Sequence, residues 1–559
     1  MKKKTPTDEQ SNVINHDSSC VVVAAPGSGK TYTISEKIRG ILKDLPHYMG
    51  VIAISYTNKA SAELQHRCIG DGLDKKGSFF GTIHKFFISE IIIPFGKMIF
   101  GPPANEFEIV ERKALGDEWK EKLNALPEIQ KDEDILEGHV EAFKGLYQEG
   151  VLVLESIGFL ALHVFKSSAA CRNYIKARYS HIFVDEYQDS KRDQHELFLE
   201  LHQLGIKAIA VGDIKQAIFS LPECIKELNE HDDFAGFNLS LNHRCHRSIN
   251  NYAWYFFTGQ DLRGEHPKED ADIRVFEKQV TGSEVDIAKW LNDAIPQYMG
   301  KFGVQDRNQV AVLVHQNIKF DVLASGLEIK FKVSRKTPLS ERADAPAGLF
   351  NRILEHLVSG QVSRYGTIEE FIWRDHQPVR AHKADKLIKD LKEKFDGGEN
   401  LLNHIDLFKE VGEQLLPHED PLEAIEILKV SLNDDPELER YMSAKKDQVN
   451  IMTLHKSKGL EFEIVFHLDL YEWGLPAKKV VDKSTNPWTT EFIRLQQDGS
   501  LHFVGITRAK QCVVLCTSTK RHKKKYQSTE IEVKDGRPSE FLWWRRDPEL
   551  QEMRNDSPF

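Results

Sequence analysis

At 559 residues and a formal net charge of −10, with 40% hydrophobic and 29% charged residues, the chain has the composition of a multi-domain globular protein with ample core. That balance excludes a wholly basic nucleic-acid binder but not a charged groove on an acidic body. There is no apolar run of about 18 residues, the opening Met-Lys-Lys-Lys-Thr-Pro lacks an apolar signal core, and the seven cysteines have no paired spacing; the expectation is no membrane span, no disulfide framework or Cys₄ metal site, and a reducing cytoplasm.

The first readable element is the apolar, strand-like run Cys20–Val23. It feeds Ala24-Ala25-Pro26-Gly27-Ser28-Gly29-Lys30-Thr31 and then a helical pattern. Strand, Gly-rich turn and helix in that order make a phosphate-binding loop, although Ala24 stands where the usual motif opens with Gly. Gly27 and Gly29 let successive N–H groups point at phosphate oxygens, and the helix starting near Lys30 aims its positive end at the same place. Lys30 is expected to reach the β- and γ-phosphates of ATP, and the Thr31 hydroxyl to hold Mg²⁺. A segment rich in helix formers, 83–175, follows. Next, the short run His181–Val184 ends in Asp185-Glu186. A carboxylate at the C-terminal end of a parallel strand suits a metal contact, so Asp185 is expected to meet Mg²⁺ directly or through water, and Glu186 to act as the general base. Another run, Ala208–Val211, leads into Gly212-Asp213-Ile214-Lys215-Gln216, where Gln216 can sense the γ-phosphate or orient water. Strand-like and helical patterns alternate over 19–82 with 178–250, and again over 272–355 with 448–520, with a charged helical segment near 360–445 between the later two. The basic runs Lys2–Lys4 and Lys520–Lys525 read chiefly as solvated surface, with phosphate contact as the second reading.

Further stretches complete a pattern. They are Thr7-Asp8-Glu9-Gln10, Ser55-Tyr56-Thr57-Asn58-Lys59-Ala60, Gly81-Thr82-Ile83-His84, Val184-Asp185-Glu186-Tyr187-Gln188-Asp189, Leu241-Asn242-His243-Arg244, Met452-Thr453-Leu454-His455-Lys456-Ser457-Lys458-Gly459-Leu460-Glu461-Phe462 and Val504-Gly505-Ile506-Thr507-Arg508-Ala509. In this order, with the phosphate loop, they resemble the superfamily 1 DNA helicases of the UvrD, Rep and PcrA type, over residues 10 to 509. The resemblance implies an α/β chain of two RecA-like P-loop NTPase domains, parallel sheets flanked by helices, each with a mainly helical insertion. The first domain would comprise 1–82 and 176–255 around an insertion at 83–175. The second would comprise 256–359 and 446–559, tail included, around a reduced insertion at 360–445.

The same resemblance assigns roles. Gln10 reads adenine, the loop Ala25-Pro26-Gly27-Ser28-Gly29-Lys30-Thr31 holds the phosphates, and His243 and Glu461 complete the nucleotide contacts. Arg508 meets ATP from the side opposite Lys30, with Arg244 as a second guanidinium for the developing phosphoryl charge. Thr57, Asn58, Thr82, His84, Thr453 and His455 line the single-strand path and grip its backbone, which gives movement without sequence choice. Polarity, 3′→5′, is implied by the family alone. There are departures. Leu221 and Pro222 stand where the family has Trp and Arg, with Phe219 as a replacement stacking aromatic, and His243 replaces a Tyr that stacks on adenine.

Outside these motifs, Gly81–Phe95, Arg172-Asn173-Tyr174, Ile182–Lys191 and Lys336–Leu339 resemble the helicase-like subunit of the Gabija anti-phage system. That resemblance implies a cytoplasmic bacterial or archaeal protein and a partner nuclease of the overcoming-lysogenization-defect type, with Toprim and ABC-ATPase domains. Docking is expected through 83–175, with Phe86–Phe95 either contact surface or insertion core. The alternatives are a free-standing repair helicase of the UvrD and Rep kind, a DNA-stimulated regulatory ATPase with little unwinding, or an ATPase acting on RNA.

Overall fold

Short runs of β-branched and aliphatic residues suit strands covered on both faces, as in a parallel sheet. The computed structural model describes residues 5–559 other than 26, 106, 111, 113–114, 124–136, 214–222, 241, 264–270, 343, 361, 373–376, 418, 483, 485–488 and 525–530. The chain divides into two units, Met1–His243 and Arg244–Phe559.

The strands of the first unit are β1 (Cys20–Ala24), β2 (Gly50–Ile54), β3 (Phe79–Gly81), β4 (Glu108–Val110), β5 (Val151–Val153), β6 (Tyr179–Val184), β7 (Lys207–Gly212) and β8 (Ala235–Leu239). Six form one sheet in the order β3-β2-β6-β7-β1-β8, and every neighbouring pair is parallel. Because β1 lies between β7 and β8, the loop after β1 emerges beside the loops after those two strands. The helix Lys30–Asp44 covers one face. Its Ile34, Ile38 and Leu42 recur every four residues and pack with Val22, Val51, Phe183 and Val211. Each such buried side chain contributes about 1.5–3 kcal/mol.

Between β3 and β6 the chain is mainly helical, through Ile83–Phe86, Ile93–Phe100, Glu137–Glu149, Ile157–Ser167 and Ala169–Arg178, with β4 and β5 paired parallel. Phe86, Phe87, Ile88, Ile91 and Ile92 are at most 1% exposed. Of the two readings of Phe86–Phe95 the structure therefore supports insertion core. An apolar run carries no mark of whether its cover is its own chain or a partner.

In the second unit the strands are β9 (Val275–Val280), β10 (Val310–Val314), β11 (Phe331–Val333), β12 (Val449–Thr453), β13 (Phe462–His467), β14 (Lys478–Asp482), β15 (Thr489–Phe492), β16 (Ala509–Ser518), β17 (Lys520–Lys524), β18 (Ile531–Asp535) and β19 (Asn555–Asp556). Seven form a sheet in the order β11-β12-β10-β13-β16-β9-β19, again parallel at every pairing. β14 with β15 and β17 with β18 are antiparallel ribbons, so part of the basic run Lys520–Lys525 forms a ribbon strand. Helices from Ala345 to Glu439 form a segment with its own core, including Phe350, Ile353, Ile388, Leu391, Phe408 and Leu428. Residues 555–559 close the sheet edge. The Phe559 carbonyl accepts from Lys278 Nζ at 2.6 Å and Trp290 Nε1 at 3.2 Å, and its ring meets Tyr298 edge-on at 4.9 Å. The expected α/β class with two parallel sheets flanked by helices is observed. Among the described residues no helix is long and apolar enough to cross a membrane.

The second unit also buries two histidines. His467 Nδ1 donates to the Leu468 carbonyl at 3.0 Å, which leaves Nε2 to accept from His502 Nδ1 at 3.0 Å. His502 Nε2 is buried without a hydrogen-bond partner among the described residues. Burial pushes His467 down to about 4 and His502 further below the usual histidine range. Above pH ~6.5 both states of the chain are neutral at these rings. As pH falls from about 6.5 toward 4 the unfolded state takes up protons first, and stability is lost, by about 3 kcal/mol for His467 alone. The thermal midpoint is therefore expected to fall steadily over that window. A midpoint flat from pH 7.5 to 4.5 would contradict it.

Candidate active site

The turn after β1 is built around two left-handed glycines, Gly27 at φ 70° and Gly29 at φ 83°. Gly29 is required by its left-handed φ, and a Cβ there would lie 2.6 Å from Gln10 Nε2, the tip of a side chain that would have to move. The helix Lys30–Asp44 starts at Gly29 with no side-chain cap, so its first N–H groups are presented to a ligand. Ser28 Oγ is buried and without a hydrogen-bond partner among the described residues. An uncapped helix start, an orphan hydroxyl and the Lys30 ammonium together fit a polyphosphate. Thr31 in the first helical turn and Asp185 after β6 supply the hard oxygens that suit Mg²⁺.

Lys30 Nζ donates to Glu186 Oε1 at 3.1 Å. Burial works against the lysine charge, but the carboxylates of Glu186, Asp185 and Asp213 outweigh it and hold the ammonium above its ordinary value. Burial, then the neighbouring Glu186 carboxylate, raises Asp185 although Lys30 opposes the shift. Asp185 is fixed by its own N–H, which donates to the Ile54 carbonyl at 3.0 Å, and its Oδ1 accepts from Glu186 N at 2.9 Å. Glu186 has φ 56°, a left-handed backbone that is uncommon outside glycine, and such strain gathers at functional sites. Next along the chain, Tyr187 anchors the turn in the core, its ring 4.9 Å from Phe198 and its hydroxyl 2.9 Å from His195 Nδ1.

The N-terminal helix Asp8–Asn15 is strapped to this loop. Gln10 Oε1 accepts from Thr7 N at 3.1 Å and Nε2 donates to the Ser28 carbonyl at 3.0 Å. Reading adenine with Gln10 would exchange one of these contacts. Glu9 Oε2 accepts from Ser240 N at 2.7 Å, and His243 N donates to the Gly27 carbonyl at 2.9 Å, so the segment after β8 lies against the loop. Lys37, 4% exposed on the apolar face of its helix, donates to the Val13 carbonyl at 2.9 Å and the Ile14 carbonyl at 3.3 Å. Sequence reasoning missed Lys37 and Glu9. A lysine beside Ile34 and Ile38 on an apolar stripe was the available signal.

Thr57 and Thr82 follow β2 and β3 and cap the next helices, accepting from Ala60 N at 3.1 Å and Lys85 N at 3.4 Å. A capping hydroxyl accepts through its oxygen, and its hydrogen can still donate to a phosphate. Burial, then the Lys191 ammonium, pushes His84 down to about 4, so at neutral pH it can offer a strand a hydrogen bond but no charge. One edge of the first sheet, its C-terminal edge, thus carries Thr57 and Thr82 after β2 and β3, and Asp185, Asp213, the phosphate loop and His243 after β6, β7, β1 and β8. Pro26, Gln216, Phe219, Leu221, Pro222 and the Asn58 side chain lie outside the described residues.

In the second unit Glu461 is gripped by two cations, Arg244 Nε at 2.8 Å and Lys510 Nζ at 3.2 Å. Burial opposes its charge, yet Arg244 and Lys510 hold the carboxyl below its usual range. Arg508 Nε donates to the Val504 carbonyl at 3.1 Å and Nη1 to the Leu460 carbonyl at 3.2 Å, which places Arg508 next to the residue preceding Glu461. Arg244, Glu461 and Arg508 are therefore brought together. Thr453 and His455 are not with them. They leave the C-terminal end of β12, whereas Glu461 and Arg508 directly precede the N-terminal ends of β13 and β16. Thr453 Oγ1 accepts from Lys456 N at 3.3 Å, and partial burial, then His315 and Arg494, lowers His455.

The AAA domain profile matches residues 9–222 and the UvrD-like helicase C-terminal domain profile matches residues 350–520. The two matches identify UvrD-like helicase domains in this chain. These domains place the enzyme among the DNA-dependent ATPases and helicases. The chain is 26% identical to Gabija protein GajB of Bacillus cereus (strain VD045), over 93% of this chain and 97% of that protein. It is 23% identical to the ATP-dependent DNA helicase Rep of Buchnera aphidicola subsp. Schizaphis graminum, over 95% and 96%, and 22% identical to DNA helicase II of Escherichia coli (strain K12), over 89% and 82%.

Proposed function

We propose that the chain hydrolyses ATP with Mg²⁺ and uses the cycle to move along DNA 3′→5′, as the helicase-like, DNA-sensing subunit of a Gabija-type anti-phage system with a nuclease of the overcoming-lysogenization-defect type. The observation that carries this reading is one sheet edge, where Lys30, Asp185 and Glu186 meet within reach of the phosphate loop and Thr57 and Thr82 follow the adjoining strands. Lys30, Ser28 and the N–H groups at the helix start hold the phosphates. Glu186 takes a proton from water as the water oxygen bonds to the γ-phosphorus, and the β–γ bridging oxygen leaves with ADP. Arg244 and Arg508 are assigned to the charge that develops on the phosphoryl group. Thr31 and Asp185 would hold Mg²⁺, which supplies charge neutralisation at the phosphates when bound. The near full-length similarity to GajB supports the anti-phage assignment. Seven cysteines, all free and buried, support the cytoplasm.

Leu221 and Pro222 in place of the family's Trp and Arg favour a second reading, a DNA-stimulated regulatory ATPase with little unwinding. Strand displacement on duplexes with 3′ or 5′ tails separates the two, with and without the nuclease. Displacement from 3′ tails supports the first reading, and DNA-stimulated hydrolysis without displacement supports the second. Co-expression with such a nuclease, followed by size-exclusion chromatography, tests the partnership. Co-elution is expected. Separate elution at micromolar concentration, with phage protection by this chain alone, contradicts it.

A further inference from the structure

Gln188 lies two residues beyond Glu186 and is 1% exposed. Its two amide ends have different partners. Oε1 accepts from the backbone N–H of Asp213, at the end of β7, at 2.8 Å. With the oxygen committed there, the amino end faces the other way, and Nε2 donates to Glu186 Oε2 at 2.5 Å. The other carboxylate oxygen of Glu186 accepts from Lys30 at 3.1 Å. The carboxylate is therefore held at both oxygens, by a cation on one side and by an amide on the other. The strands are shaped for this approach. A Cβ on Gly212 would stand 2.6 Å from Gln188 Oε1 and 3.1 Å from Gln188 N, so β7 must end in glycine for the amide to reach Asp213. Glu186 has a left-handed backbone at φ 56°, uncommon outside glycine, so the contacts around its side chain matter to how the turn is held.

We propose that Gln188 is a positioning residue. It fixes the Glu186 carboxylate in the orientation that takes a proton from water, and it ties that orientation to the end of β7. The inference rests on Glu186 being the general base. A misplacement of about 1 Å at such a group costs about 100-fold, so the effect should be large and confined to turnover.

The test uses the full chain with saturating single-stranded DNA. Gln188→Met keeps the length and removes both polar ends. Gln188→Asn keeps the amide but is one methylene short and reaches only one partner, and it carries the test if the Met variant does not fold. Each is expected to lower kcat about 10- to 100-fold, with KM for ATP and the affinity for a fluorescent ATP analogue within about twofold of the parent. In a Glu186→Gln background, Gln188→Met is expected to change the single-turnover rate by less than about threefold, because its target is already gone. The proposal is overturned by an unchanged kcat, by losses that multiply in the double variant, or by a KM and analogue affinity that deteriorate along with kcat, which marks a merely structural bolt. If Glu186→Gln alone keeps normal turnover, the general-base reading falls and takes this inference with it. If Glu186→Gln is inactive and Gln188→Met is normal, only this inference falls.

Discussion

Glu186→Gln is expected to leave ATP binding within a few-fold of the parent and to lower turnover by about 10²–10⁴-fold, the range of a lost general base. The substitution keeps the volume of the side chain and one of its two acceptor oxygens. Lys30 at 3.1 Å and Gln188 at 2.5 Å both donate to the carboxylate, so the amide oxygen keeps one of them and the amide NH₂ gives up the other. The capacity to take a proton is removed, together with one accepted hydrogen bond. Fluorescent-analogue binding and phosphate release, measured on one preparation, check both halves. Turnover within tenfold of the parent would move the base to another residue.

Lys30→Ala is expected to fail at the earlier step. Its ammonium faces the carboxylates of Glu186, Asp185 and Asp213. Removing it leaves that negative cluster where the phosphates should sit, so an anionic ligand meets repulsion instead of a cation. Breaking a buried charge arrangement costs about 3–5 kcal/mol, which is roughly 100-fold or more in nucleotide affinity. The same two assays apply, and analogue binding within tenfold of the parent would show that the phosphates are held elsewhere. The pair of variants separates binding from chemistry, because one should lose affinity and the other rate.

Much of this site was legible because its parts are local. Cys20–Val23 lies within β1, His181–Val184 within β6 and Ala208–Val211 within β7, so reading apolar runs bounded by turn residues located the sheet strands that carry the chemistry. The phosphate loop was legible because its function needs particular backbone conformations, and only glycine takes φ 70° and 83° without strain. What escaped is tertiary. No spacing rule joins Gln188 to Asp213, or Lys37 to the end of the helix Asp8–Asn15, since each contact depends on strand order and helix packing. The strand β19 is Asn555-Asp556, polar and two residues long, and its place at the sheet edge is secured by Phe559 three residues later. The Phe86–Phe95 run shows the converse limit. Apolar periodicity says that a face is covered, not by what, and here its own chain covers it, with Phe79 of β3 and Tyr179 of β6 at 5.4 Å and 6.1 Å from Phe86.

In the proposed function this chain is an ATPase whose chemistry answers to a DNA strand. On the first sheet the residues assigned to the nucleotide follow β6, β7, β1 and β8, and those assigned to the strand follow β2 and β3 on the same edge. A bound strand should therefore alter the geometry of Glu186 and its neighbours. Phosphate release from Mg²⁺-ATP by the unmodified chain, with and without single-stranded DNA, is the most direct measurement. At least about a tenfold rise is expected with DNA, and equal rates in the two conditions would contradict the coupling of hydrolysis to the strand.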